Sequence, residues 1–75
     1  MDNVVKKYIW LITTIRNAGS LSFERINEQW MRSHLNHYSE PLSKKTFRNW
    51  IQSIADSFNI EIVCERKGGY KYHIK

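Results

Sequence analysis

Ser43-Lys44-Lys45-Thr46-Phe47-Arg48-Asn49-Trp50-Ile51-Gln52-Ser53-Ile54-Ala55-Asp56-Ser57-Phe58, followed by Ile60-Glu61-Ile62-Val63-Cys64-Glu65-Arg66-Lys67-Gly68-Gly69-Tyr70-Lys71-Tyr72-His73-Ile74, is the stretch on which the fold turns. In its first half Phe47, Trp50, Ile51, Ile54 and Phe58 recur at helical spacing. On a wheel of ~100° per residue they fall within one stripe about 100° wide. Lys45, Asn49, Gln52 and Asp56 project to the opposite side, with Arg48 at the flank. Lys44 lies nearer the apolar edge, where its long stem can carry the ammonium outward. Ser43 is placed to cap this helix, and Leu42 and Phe47 are spaced as a hydrophobic staple.

After Phe58 the period changes from 3.6 to 2. Ile60, Ile62 and Cys64 alternate with Glu61, Val63 and Glu65; Tyr70, Tyr72 and Ile74 alternate with Lys71, His73 and Lys75. Two alternating runs around Gly68-Gly69 read as a β-hairpin. A hairpin is marginal alone, so it must lie on the helices, with Ile60, Ile62, Tyr72 and Ile74 facing inward.

Upstream, Val4, Val5, Tyr8, Ile9, Ile12 and Ile15 define the stripe of a first helix over about residues 3–17, stopped by Gly19. A second begins after Leu21-Ser22, with Ser22 as cap and Leu21 and Ile26 as staple. Its apolar positions are Phe23, Ile26, Trp30 and Met31, with Leu35 at its fading end. It gives out in the polar run 36–41, closed by Pro41. A short strand around Ser20–Ser22 is available to pair with the hairpin. The expected fold is mainly α with a β-hairpin: a winged helix-turn-helix of three helices and a two- or three-stranded wing, one domain over residues 1–75.

Seventy-five residues bury only ~60% of the surface the unfolded chain exposes, so the core must be rich in large side chains. Three Trp, four Tyr and three Phe meet that need. No run approaches the ~20 apolar residues of a membrane span, and Met1-Asp2-Asn3 does not open a signal peptide. The single cysteine, Cys64, cannot form an internal disulfide, and a cytoplasmic, nucleoid-associated location is expected. The net charge of +5 is uneven: residues 43–75 hold seven basic side chains against three acidic ones. A basic half suggests a polyanionic partner.

The cations cluster at two points. The third helix opens Ser43, Lys44, Lys45, Thr46, then Arg48, Asn49 and Gln52. A recognition helix reads base edges through such N-terminal residues: Lys and Arg pair with guanine or phosphate, Asn and Gln with adenine. The hairpin tip, Arg66-Lys67-Gly68-Gly69, has two cations and no acid, and its glycines let the backbone approach a phosphate closely. Lys71 follows. Double-stranded DNA is the expected partner, in transcriptional regulation; a homodimer or a C-terminal regulatory domain remains open.

Tyr8-Ile9-Trp10-Leu11-Ile12, Leu21-Ser22-Phe23-Glu24-Arg25-Ile26-Asn27-Glu28-Gln29-Trp30, Lys45-Thr46-Phe47-Arg48-Asn49-Trp50 and Cys64-Glu65-Arg66-Lys67-Gly68-Gly69-Tyr70 resemble the N-terminal DNA-binding region of bacterial WYL-domain transcriptional regulators. The resemblance spans nearly the whole chain, and its fourth run is the most distinctive. It implies a winged helix-turn-helix with DNA contacts within residues 43–52 and 66–71. Residues 1–75 contain no WYL domain, so ligand sensing is not carried over; either the N-terminal domain of a longer regulator or a short relative is expected.

Other chemistry is discounted. His34 and His37 share a helical spacing, but a zinc site wants three or four ligands. His73 and Cys64 sit at opposite parity on different strands. No triad signature and no Walker loop appear, so neither enzyme, metal nor cofactor is expected. Cys64 is read as a packed small hydrophobe. Trp10 falls off the apolar stripe, near Lys6, Lys7 and Thr14. Such a Trp either marks a protein contact or packs on Tyr38 or the 36–42 loop. An alternative to DNA binding is therefore a protein-interaction module with Trp10 and Trp30 near its contact surface.

Overall fold

The computed structural model describes residues 3–36 and 39–75. It contains three helices, α1 (Asn3–Ala18), α2 (Phe23–Met31) and α3 (Lys44–Phe58). Three short strands, β1 (Leu21–Ser22), β2 (Ile62–Glu65) and β3 (Lys71–Ile74), form one antiparallel sheet in the order β1-β3-β2. The chain is thus mainly helical, with a hairpin whose second strand also pairs with the segment before α2. Leu21 lies opposite Tyr72 and Ser22 opposite Lys71. Among the described residues no helix is long and apolar enough to cross a membrane.

The helix ends follow from local chemistry. The Gly19 N–H reaches the Ile15 carbonyl at 2.8 Å, and the glycine takes φ +85°, a left-handed conformation that costs it little. The Ser22 Oγ accepts from the Arg25 N–H at 3.2 Å, and the Ser43 Oγ accepts from the Thr46 N–H at 3.1 Å. Both are the caps expected from sequence. Leu42 and Phe47 are both buried, as a staple requires.

α2 is shorter than its apolar positions suggest. It ends at Met31, and Leu35 packs on the core from a turn. Side chains here compete with the helical ladder. Ser33 Oγ accepts from the Leu35 N–H at 3.2 Å, and Asn36 Nδ2 donates to the Trp30 carbonyl at 3.2 Å. Asn36 also holds Glu40 through its N–H and its carbonyl, at 3.1 and 2.8 Å.

The core joins Leu11, Ile12 and Ile15 of α1 to Ile26 and Trp30 of α2, Leu42 just before α3, Phe47 and Ile54 of α3, and Ile62 of β2. Val4, Val5 and Ile9, expected on the buried stripe, are exposed, Val4 and Ile9 at 51% each, whereas Leu11 is fully buried. On the wheel Tyr8, Leu11, Ile12 and Ile15 span about 100°, and Val5 and Ile9 lie to one side. Val4 shares the buried direction but sits in the first turn, at the edge of the packed layer. Ile62 is buried, and Ile60, Tyr72 and Ile74 are half-buried against the core, the inward face the alternation predicts.

Trp10 is half-buried on Trp30, centroids 5.1 Å apart and planes tilted by 60°. Trp30 meets Trp50 edge-on at 5.2 Å, and Trp50 meets Tyr8 at 6.3 Å. Trp10 therefore extends an aromatic run across the three helices instead of standing free. Tyr38 and His37 lie outside the described residues.

Candidate nucleic-acid interface

α3 is held at its start by more than its cap. Asn27 of α2 accepts the Leu42 N–H through Oδ1 at 2.7 Å, which fixes the segment entering α3 against α2. From this anchor the helix presents three faces. Lys44, Phe47 and Arg48 turn toward the hairpin. Lys45, Asn49 and Gln52 are exposed on the side away from the core. Ser43, Thr46 and Trp50 turn to the other flank, beside Lys7.

Between the start of α3 and the hairpin tip lies an open groove of about 660 Å³. Its rim carries Lys44 and Arg48 from α3 and Arg66 and Tyr70 from the tip. Its wall is aromatic: Phe47 packs on Phe23 at 5.1 Å and edge-on to Tyr72 at 4.8 Å. The Lys44 Nζ stands 5.9 Å from the centre of the Phe23 ring, a cation–π arrangement that keeps the ammonium at the mouth. One carboxylate, Glu24, also lines the groove. Burial first, and then the neighbouring Cys64 thiol, raise the Tyr72 hydroxyl above its ordinary pKa, while the Arg48 guanidinium pulls the other way.

The eleven residues picked out from sequence thus divide. Lys44, Arg48 and Arg66 meet at one groove. Lys67 and Gly68 sit exposed in the turn beside it. Gly68 and Gly69 take φ of +83° and +97°, with nothing within 4 Å of where a Cβ would stand, so their role in the turn is conformational. Lys71 stands elsewhere: the pleat sends it to the outer face of the sheet, opposite Glu65. The hydroxyls of Ser43 and Thr46 are hydrogen-bonded to each other at 3.0 Å on the far flank of α3, and Gln52 donates to Asp56 at 3.3 Å. Among the described residues the ion pairs are Arg25–Glu28 and Lys75–Glu61, so none of the cations on α3 or the tip is neutralised by one.

Cys64 corrects the expectation of a packed thiol: it is exposed. Its strand position is inward, two residues from buried Ile62, but the helical layer ends short of the tip, and the thiol looks into the groove. Cys64 and His73 lie on opposite faces of the sheet, since Cys64 pairs with Tyr72 and Val63 with His73. His34 is exposed. Residues that sequence reasoning did not assign to the site are Phe23, Glu24, Phe47, Cys64, Tyr70 and Tyr72, which line the groove, and Asn27, which anchors α3. Phe23, Tyr70 and Tyr72 were visible only as apolar pattern, and no local signal distinguishes Asn27 from any helical asparagine.

No family model, curated protein or solved structure matches this chain.

Proposed function

We propose that this chain is a winged helix-turn-helix domain that binds double-stranded DNA sequence-specifically in transcriptional regulation. α3 enters the major groove, and the hairpin acts as a wing on the adjacent backbone. The observation that carries the reading is that Lys44 and Arg48 from α3 and Arg66 from the hairpin face one groove, without a carboxylate paired to any of them among the described residues. Lys45, Asn49 and Gln52, exposed on the outward side of α3, have the donors and acceptors that base edges require. Lys44, Arg48, Arg66 and Lys67 serve the phosphates, whose contacts fix position without reading sequence. The N-terminal end of α3 adds a favourable dipole for an anion. The resemblance of four runs to WYL-domain regulators points the same way. Under the alternative of a protein-interaction module, Trp10 and Trp30 would both lie near the contact surface; Trp30 is 6% exposed, packed against a half-buried Trp10.

The test is a mobility shift on mixed-sequence duplex at low and high salt, followed by selection from a random-sequence pool. Binding that weakens steeply with salt, together with enrichment of a defined sequence, is the expected outcome. Absence of salt-dependent duplex binding overturns the proposal.

A further inference from the structure

The groove between α3 and the hairpin tip is shaped for something a fully paired duplex does not offer. A paired duplex presents phosphates, sugars and base edges to a protein, while the faces of its bases stay stacked inside. The groove has cations for the phosphates, but behind them it is walled with aromatic rings: Phe23 and Tyr72, each packed on the buried Phe47, at 5.1 and 4.8 Å. Its volume of about 660 Å³ lies in the range of ~300–1,000 Å³ typical of small-molecule sites. Tyr70 overhangs it from the tip with 63% of its surface exposed, the most exposed of the large apolar side chains described.

The backbone at Tyr70 adds a second observation. Its φ is +56°, following two glycines that also have positive φ. Bulky side chains seldom occupy this left-handed region, and glycine or asparagine would fill it with less strain. The exposed tyrosine lines the groove together with Arg66 on its own turn and Lys44 and Arg48 on α3. An exposed aromatic ring in a positively charged groove is the combination with which proteins stack unpaired bases.

Resting on the DNA reading above, we infer that the groove takes an unpaired nucleotide of DNA: the base stacks on Tyr70, with Tyr72 behind it, and the flanking phosphates meet Lys44, Arg48 and Arg66. Glu24, at the same groove, discourages phosphate on the α2 side and directs the backbone toward the guanidinium groups. The domain accordingly prefers duplex that contains an extrahelical base over duplex that is paired throughout.

The experiment compares a short blunt duplex, the same duplex with one extra central 2-aminopurine, and the same duplex with a central nick, which adds flexibility without an unpaired base. Fluorescence anisotropy gives the affinities, and 2-aminopurine emission reports stacking. The bulged duplex is expected to bind roughly five- to tenfold tighter than the paired one, with quenched emission, while the nicked duplex gains nothing. Tyr70→Ala brings the bulged-to-paired ratio toward one, and Tyr70→Phe keeps it. Circular dichroism on both variants checks that they fold. Equal affinity for bulged and paired duplex, an equal gain from the nick, or a preference that survives in Tyr70→Ala overturns the inference and leaves duplex binding standing. Failure to bind any of the three duplexes overturns the DNA reading itself, and the inference with it.

Discussion

Replacing Arg48 by alanine tests the proposed interface where its geometry is most explicit. Arg48 is exposed, lines the groove with Lys44 and Arg66, and has no ion-pair partner among the described residues, so its removal breaks no fold-stabilising salt bridge there. Each phosphate neutralised by a protein cation contributes about 0.9 to the slope of log K against log salt. The four proposed phosphate contacts, from Lys44, Arg48, Arg66 and Lys67, give a slope of about −3.6, which is a roughly 150-fold loss of affinity between ~50 and ~200 mM salt. Without Arg48 the slope falls to about −2.7 and the loss over the same range to roughly 40-fold. At low salt the variant binds about tenfold more weakly, the lower end for a hydrogen bond to a charged group. The control is Lys6→Ala. Lys6 is an exposed cation of α1 outside the groove, and it has the same formal charge to lose. Anisotropy titrations on one duplex at four salt concentrations give both slopes. If Lys6→Ala lowers affinity and slope as much as Arg48→Ala does, binding depends on net charge alone, and the assignment of a face is refuted.

Other consequences are open to simple measurements. Glu24→Gln removes the carboxylate at the groove and should tighten duplex binding roughly two- to fivefold, the scale of an exposed charge pair; weaker binding would mean that Glu24 faces a donor on the nucleic acid. Trp30→Ala deletes the ring that joins Trp10 to Trp50 and should cost about 3–5 kcal/mol in denaturant unfolding, whereas Ile9→Ala, at an exposed position, should stay within about 0.5 kcal/mol. Similar midpoints for the two variants would displace the aromatic run from the core. The raised pKa of Tyr72 means that its ionised form is disfavoured in the folded chain. Stability then falls as pH rises through the ordinary tyrosine range toward the raised value, and Tyr72→Phe should flatten that part of the alkaline unfolding curve. An unchanged curve would detach Tyr72 from the alkaline loss.

Helix chemistry made much of this fold legible. Ser22 and Ser43 are caps with a hydroxyl at the one position where it satisfies an orphan N–H, and Gly19 supplies a conformation other residues adopt at a cost. Those signals act within a turn or two of chain, so they survive whatever the rest of the molecule does. The buried side of α1 was less legible, because its apolar residues cover more of the circumference than the neighbours can bury. Leu11 became core and Ile9 did not because of where α2 and β3 lie, a fact of packing that periodicity alone does not contain. The early end of α2 has the same origin in reverse: Ser33 and Asn36 offered the backbone partners that an apolar count ignores.

The candidate site shows where such reasoning stops and why. Charge clustering on α3 and at the glycine turn could be read directly, since both are runs of adjacent residues. The groove could not, because its wall is assembled from Phe23 at the start of α2, Phe47 in α3 and Tyr72 in β3, three elements brought together by the pairing of β1 with β3 and by Asn27 under Leu42. Cys64 makes the distinction concrete. Period-2 alternation assigns it correctly to the inner face of β2, and inner was then equated with covered. On a sheet longer than the helical layer beneath it, the inner face continues past the last helix, and the residues there line a surface instead of a core. The side chains best placed to meet a ligand on such a hairpin are therefore those the alternation marks as apolar, while a cation on the same strand, Lys71, is turned by the pleat to the opposite face.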